Sequence, residues 1–320
     1  MEKNTKKVYT DSITIFVFFL AIGVLLWQTQ GHIFFLFNFG YIGLAAATGE
    51  LLFGILPSEK KVWGRKISQL LIGLYMLGVL GFLGRENMQI EGFYFYLLAG
   101  TFSGPVLHYL IAKIGGTLFF GRGWCSWACW TTMVLDFLPW MKPRHGRLKY
   151  WGILRYFHFF IALASVLILW YGFQIKDLDK YSFRELNWSI VIIGNLLYFT
   201  VAIILAASLK DNRAFCKYVC PIPVLMKIGS RFSIWKIEIE KDSCIECGLC
   251  EENCPMNIKL LSYMKNNQRI LSTECIGCQQ CVNICPENII RYTKKLDTGF
   301  KEYLHIKNDD NVRKPDNVIK

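Results

Sequence analysis

The stretch Cys244-Ile245-Glu246-Cys247-Gly248-Leu249-Cys250-Glu251-Glu252-Asn253-Cys254-Pro255 is answered 31 residues later by Cys275-Ile276-Gly277-Cys278-Gln279-Gln280-Cys281-Val282-Asn283-Ile284-Cys285-Pro286. Both copies read C-x2-C-x2-C-x3-C-P. In that spacing three close thiolates wrap three irons of a [4Fe–4S] cube, and the fourth, before proline, ligates the other of two cubes. The ligand sets therefore cross between the copies. Cys244, Cys247, Cys250 and Cys285 are expected to hold one cluster, and Cys275, Cys278, Cys281 and Cys254 the second. Zinc sites fit poorly, because a third cysteine two residues on and a terminal Cys-Pro have no place in paired C-x2-C groups. Disulfides suit small secreted domains without another core, and this run sits in a different kind of chain.

The rest of the chain is too apolar for a soluble protein. Of its 320 residues 53% are hydrophobic, 15% aromatic and only 19% charged, with a mean hydropathy of +0.31. Apolar runs close to the ~20 residues that cross hydrocarbon lie at Ser12 to Gln28, Ile33 to Leu56, Ile67 to Leu83, Phe93 to Ala112, Tyr156 to Ile175 and Trp188 to Leu209. The expectation is an α-helical multi-pass membrane protein of about six transmembrane helices, followed by a C-terminal α+β two-cluster ferredoxin domain. The first run follows Lys3, Lys6 and Lys7 as a secretory signal would, but it leaves through Trp27-Gln28-Thr29-Gln30 with no small-residue cleavage site, so it is read as a helix.

Charge sets the expected orientation. Loops on the N-terminal side of the six runs carry sixteen Lys and Arg, and the opposite loops only Arg85, Lys176, Lys180 and Arg184. The positive-inside rule then places the N- and C-termini in the cytoplasm and the protein in the cell membrane. Trp27, Trp63, Trp151, Trp170 and Trp188 fall at span ends, where an amphipathic indole sits well. The net charge of +12 is topological: residues 241–320 hold 12 Lys and Arg against 11 Asp and Glu. Nothing calls for a nucleic-acid partner.

Three regions result: a polytopic membrane domain over 1–229, a two-cluster ferredoxin domain over 230–303, and a polar, flexible tail over 304–320. Alternation at Ile234, Ile237 and Ile239 predicts a strand before Cys244, and Arg269 to Thr273 occupies the matching place before Cys275. Each half thus reads as strand, cluster loop and short helix.

Four cysteines remain, and they form a second repeat. Arg122-Gly123-Trp124-Cys125-Ser126-Trp127-Ala128-Cys129 matches Arg213-Ala214-Phe215-Cys216-Lys217-Tyr218-Val219-Cys220. Both C-x3-C pairs fall on the expected cytoplasmic face. Brought together, Cys125, Cys129, Cys216 and Cys220 would make a further thiolate site for a metal or an iron–sulfur cluster; kept apart, they are free, reduced thiols.

With these motifs in place, the region from about Ile67 to Tyr292 resembles the NapH/MauN group of ferredoxin-type membrane proteins, kin to the NosR-type membrane ferredoxins. Where that group shows C-x3-C-P twice, this chain has Trp130 after Cys129 and Pro221 after Cys220. The resemblance implies a membrane-anchored iron–sulfur protein that passes electrons between the quinone pool and a partner redox protein of ferredoxin-like or cytochrome type, as an electron-transfer subunit. The alternative class is a membrane-bound redox-sensing regulator or a maturation factor for a metalloenzyme.

Polar residues inside spans are costly and often functional. Glu50, His108 and His158 are candidates for a quinone or proton site, against hydrogen-bonded packing for the histidines and interfacial snorkelling for Arg155. A b-type haem between His108 and His158 has only two unpatterned histidines in its favour, and no haem is expected. His32 and His145 read as surface residues. No nucleophile–base set, phosphate loop or dinucleotide fingerprint appears in the soluble segments.

Overall fold

The computed structural model describes residues 2–102, 104–140, 146–176 and 181–307. His145, Lys142, Arg144 and Lys180, and the polar tail from Asn308 onward, lie outside the described residues. Among the described residues five helices are long and apolar enough to cross a membrane: Lys6–Gln30, Phe34–Ile55, Lys61–Leu83, Trp151–Gly172 and Phe183–Leu209.

The first two belong to α1 (Glu2–Gln30) and α2 (Phe34–Ile55), which pair as a hairpin. Helix α3 (Lys61–Leu74) continues into π-type turns over Tyr75–Leu83. Helices α2 and α3 approach closely because Gly64 faces the Phe53 amide and the Gly49 carbonyl, where a Cβ would have no room. Small residues at such crossings are what bring transmembrane helices together in lipid, where no hydrophobic drive exists between them.

The expected fourth span is not one helix. Helix α4 (Ile90–Leu98) stops, and α5 (Gly104–His108) restarts and runs through π-type turns at Tyr109–Gly115 into Gly116–Phe120. The cause is local chemistry. Gly100 takes φ +67, in the left-handed region, and Pro105 brings no backbone N–H to the new helix start. The chain nevertheless returns across the bundle here. At one end of α3, Arg65 meets Ser126 O at 2.8 Å and Asp136 at 2.6 Å. Beyond its other end, Arg85 meets Glu185 at 3.0 Å and Asn87 donates to Asn187 at 3.0 Å. Residues between Asn87 and Ser126 must therefore cover that distance.

Short helix α6 (Trp124–Trp127) carries Cys125, and Cys129 caps the start of α7 (Trp130–Leu135). Helices α8 (Leu154–Leu167) and α9 (Tyr181–Leu209) follow, and α10 (Ala214–Tyr218) carries Cys216, with Cys220 just beyond its end. Helix α11 (Ile222–Arg231) leads into the ferredoxin region.

That region is built on a two-stranded antiparallel sheet of β1 (Trp235–Ile239) and β2 (Ile290–Lys294), in register Trp235↔Lys294 to Ile239↔Ile290. Helices α12 (Leu249–Glu252), α13 (Leu260–Lys265) and α14 (Gln280–Ile284) lie between the strands. The segment Arg269 to Thr273 is not a strand. The Arg269 guanidinium instead donates to Ile234 O and Thr293 O and pairs with Asp297, so its side chain braces the sheet that its backbone was expected to join. Its backbone contributes one bond, Ile270 N to Ile237 O at 2.8 Å.

The core beneath the sheet is continuous with the membrane part. Ile237, Ile258, Tyr263 and Ile276 pack in one buried cluster with Cys125 and Met226. Residues 304–307, where a flexible tail was expected, are pinned: Arg147 N donates to His305 O at 2.7 Å, Lys307 N donates to Arg147 O at 2.9 Å, and Ile258 bridges Leu304.

Candidate iron–sulfur centres

The eight cysteines of the C-x2-C-x2-C-x3-C-P repeats divide between two pockets. One is lined by Cys244, Cys247, Cys250 and Cys285, with Ile239, Leu249, Ile289 and Ile290 around them. The other is lined by Cys254, Cys275, Cys278 and Cys281, among Ile237, Met256, Ile258 and Ile270. The fourth cysteine of each repeat thus faces the triplet of the other. Left-handed residues make this wrapping possible: Gly248 has φ +77 and Gly277 φ +60, and a side chain on Gly277 would meet Tyr292 Oη and Gly123 Cα.

The donor sets fit an iron–sulfur cube. All four groups in each pocket are soft thiols in an apolar, water-poor lining, which suits iron–sulfur ligation. Burial pushes the Cys254 thiol up to about 11, with Cys278 adding to the shift, while the amides of Ile258 and Met256 favour its thiolate. Burial likewise lifts Cys275 to about 12, opposed by the Gly277 amide. Such thiols lose their protons to a bound metal centre, not to solvent. Among the described residues no three Cys, His, Asp or Glu side chains converge on one point as a single metal ion needs, whereas a four-iron cube holds its thiolates further apart.

The two C-x3-C pairs lie near one another. Cys216 lies within electrostatic reach of Cys125 and Cys129, and Cys220 of Cys216, Cys129 and Cys125. Arg213 donates to the Cys125 carbonyl at 3.2 Å and pairs with Asp136 at 2.6 Å, and Thr132 Oγ1 donates to the same carbonyl at 2.9 Å. Burial pushes the Cys216 thiol up to about 12, with Arg213 pulling the other way. Asp136 would be raised by its own burial, but Arg213 and then Arg65 hold its carboxyl below the usual range.

Both C-x3-C loops reach the pocket of Cys254, Cys275, Cys278 and Cys281. From the first loop, Ser126 Oγ donates to Ile276 O at 2.7 Å and Trp127 Nε1 to Gly277 O at 3.0 Å, so two residues between Cys125 and Cys129 grip the segment between Cys275 and Cys278. From the second, Lys217, between Cys216 and Cys220, pairs with Asp211 at 2.6 Å and bonds Asn257, three residues beyond Cys254. Among the described residues the pocket of Cys244 has no such cover, and Cys247 is exposed.

The junction is closed by Glu274, immediately before Cys275 and 2% exposed. Its carboxylate meets Arg122 at 2.9 Å, Arg147 at 3.0 Å, Arg155 at 3.0 Å and Lys227 at 2.7 Å. Burial would raise the Glu274 carboxyl, yet Arg147, Arg122, Arg155 and Lys227 hold it well below the usual carboxylate range. Arg155 does not snorkel: it is 1% exposed, spent on Glu274 and on the Lys217 carbonyl. The sequence flagged Arg122 only as the head of a repeat and passed over Glu274, Arg147 and Lys227; the signal available was a carboxylate set directly against a ligand cysteine.

The three quinone or proton candidates do not share one place. His158 Nδ1 bonds Val219 O in the second C-x3-C loop at 2.9 Å, and its Nε2 meets Tyr198 Oη on α9 at 3.2 Å, so the ring ties that loop to the helix. Glu50 lies within electrostatic reach of Asp11 and of Tyr292. His108 borders an apolar cavity of about 390 Å³.

Comparison with known proteins adds a family to this geometry. Residues 236–286 match the 4Fe-4S dicluster domain, and residues 105–148 and 194–240 match the 4Fe-4S binding domain. The second match takes in both C-x3-C pairs. Among relatives, the methylamine utilization ferredoxin-type protein MauN of Paracoccus denitrificans is 27% identical over 55% of this chain and 63% of its own length. The putative electron transport protein YccM of Escherichia coli is 29% identical over 47% of this chain and 45% of its own length. These matches support a 4Fe-4S ferredoxin-like protein of NapH/MauN type. An uncharacterized protein of Methanocaldococcus jannaschii, 28% identical over 61% of this chain and 75% of its own length, extends the likeness to an archaeon. The chain spans less than two thirds of the MauN and YccM proteins it matches. No solved structure matches it.

Proposed function

We propose that this chain is a membrane-anchored relay that passes electrons between the quinone pool and a partner redox protein of ferredoxin-like or cytochrome type. In this reading Cys244, Cys247, Cys250 and Cys285 hold one [4Fe–4S] cluster, Cys275, Cys278, Cys281 and Cys254 a second, and Cys125, Cys129, Cys216 and Cys220 a third. Bound clusters supply one-electron redox centres; the protein's own work is to hold them in line and keep water out. The observation that carries the reading is the grip of Ser126 and Trp127 on the carbonyls of Ile276 and Gly277, which sets the first C-x3-C loop against the Cys275–Cys278 segment. The order then follows from cover. The C-x3-C site is at the membrane end, the pocket beneath Glu274 comes next, and the pocket with exposed Cys247 faces the partner.

The broken α4–α5 segment supplies the sixth crossing, which puts both C-x3-C loops on the face that carries most of the Lys and Arg. On the positive-inside rule that face is cytoplasmic, as are both termini of a 1–229 membrane domain and a ferredoxin domain from 230. The test is iron and acid-labile sulfide analysis of the detergent-purified full chain with an electron spin resonance titration. About twelve irons per chain are expected; about eight would leave the C-x3-C pairs without a cluster. Reduction of the clusters by a quinol analogue far slower than turnover with a partner would refute the quinone side.

A further inference from the structure

We propose that the cavity between α1, α2 and α5 is the seat of the quinone headgroup. The inference rests on the relay reading above and adds the place and the residues. The cavity measures about 390 Å³, within the range of small-molecule sites. Its walls are almost wholly apolar, with Phe39, Ile42, Met76 and Leu80 at its base. Three polar atoms on lining residues break that pattern, and each is buried without a hydrogen-bond partner: Asn38 Oδ1, His108 Nε2 and Trp124 Nε1. Asn38 is 9% exposed.

Unpaired buried polar atoms cost on the order of 1–3 kcal/mol each, and their gathering at one cavity calls for a ligand with matching groups. The indole N–H of Trp124 is a donor only, the amide oxygen of Asn38 an acceptor, and His108 Nε2 either one, according to tautomer. A ring bearing oxygen as carbonyl or hydroxyl answers all three, and a neutral one suits a lining with no carboxylate and no Lys or Arg. The opening is right for such a molecule's tail. Phe18, Phe34, Leu110 and Phe119 on the cavity rim are 42%, 49%, 38% and 43% exposed, so an isoprenoid chain leaves sideways into lipid.

The polar end also points at the relay. Trp124 is bonded in sequence to Cys125, and its ring lies 5.4 Å from that of His108. The buried ammonium of Lys113 sits 4.9 Å from the Trp124 ring and within electrostatic reach of Cys129, Cys125 and Cys220. A headgroup seated here is one residue away from the C-x3-C thiols.

The experiment uses the full chain in nanodiscs of defined phospholipid, titrated calorimetrically with decyl-ubiquinone and with a short-chain menaquinone analogue. One equivalent of at least one probe is expected to bind. Asn38→Leu, His108→Leu and Trp124→Phe should each weaken it about fivefold to tenfold, the loss of one neutral hydrogen bond. Ala112→Phe fills the cavity without removing a polar group and should abolish binding while leaving the iron content of the chain unchanged. Binding by all four variants as by wild type overturns the assignment of this cavity and leaves the relay standing. If wild type binds neither probe and no quinol reduces its clusters, the quinone reading itself falls. Extraction of phospholipid in place of quinone from the wild-type cavity, abolished by Ala112→Phe, overturns the proposal as well.

Discussion

Replacing Glu274 by glutamine removes one charge from a junction where four cations converge, and the structure sets the scale of the effect. Glu274 is 2% exposed, and Arg122, Arg147 and Arg155 are 0%, 6% and 1% exposed, so solvent screens little of the interaction. Breaking a buried ion pair by removing one partner costs about 3–5 kcal/mol, because the remaining charge stays buried and uncompensated. Here four cations would face one another. At about 1.4 kcal/mol per decade, the undocked population of the Cys275 segment should rise on the order of 10²- to 10³-fold. Hydrogen–deuterium exchange of the detergent-solubilised protein reads this directly, in peptides covering residues 122–128 and 269–277. The internal control is Glu246→Gln, whose pair with Lys265 is 49% and 56% exposed and is worth about 0–1 kcal/mol at most. If Glu274→Gln exchanges no faster than Glu246→Gln in those peptides, Glu274 is not what closes the junction.

Three further outcomes are expected. Cys254→Ser should deplete the cluster held with Cys275, Cys278 and Cys281 and spare the one next to Cys244, as read by the spin-resonance signals; loss of the Cys244 cluster alone would show that the ligand sets do not cross. The Asp136 carboxyl, raised by burial but held below its usual value by Arg213 and Arg65, is a group whose depressed folded pKa contributes stability above its unfolded value of about 3.9. That contribution should fade as pH falls below about 4, and Asp136→Asn should flatten the acid limb of stability measured by chemical denaturation. Gly64→Val, placed where even a Cβ meets the Phe53 amide and the Gly49 carbonyl, should force α2 and α3 apart at a cost of about 1–3 kcal/mol, seen as a lower unfolding temperature in detergent.

What the sequence made legible was local. Eight cysteines in two copies of one spacing announce their chemistry because cluster ligation demands thiolates at short, fixed separations, and apolar runs announce helices because lipid leaves a backbone few alternatives. Where partners are distant in the chain, the signal disappears. Nothing near Arg155 points to Glu274, 119 residues on, and the repeat that joins Arg122 to Arg213 does not reveal that one meets Glu274 and the other Asp136. The strand expected at Arg269 to Thr273 failed for a related reason: β1 needed a partner, and Ile290–Lys294 supplied it, while Arg269 turned its guanidinium to the sheet edge. The fourth apolar run carried its own warning in Gly104-Pro105, but a run of apolar residues does not say whether a helix bends or breaks there.

The stitch between Arg147 and residues 305–307 bears on how the molecule is made. Arg147 leaves the ribosome soon after Cys129, whereas its strand-like partner emerges only after both ferredoxin repeats have been synthesised. Until then the loop behind the first C-x3-C pair lacks the partner that pins it in the folded chain. Closing the seam is therefore a late step, which waits until the helices and both ferredoxin repeats have been made.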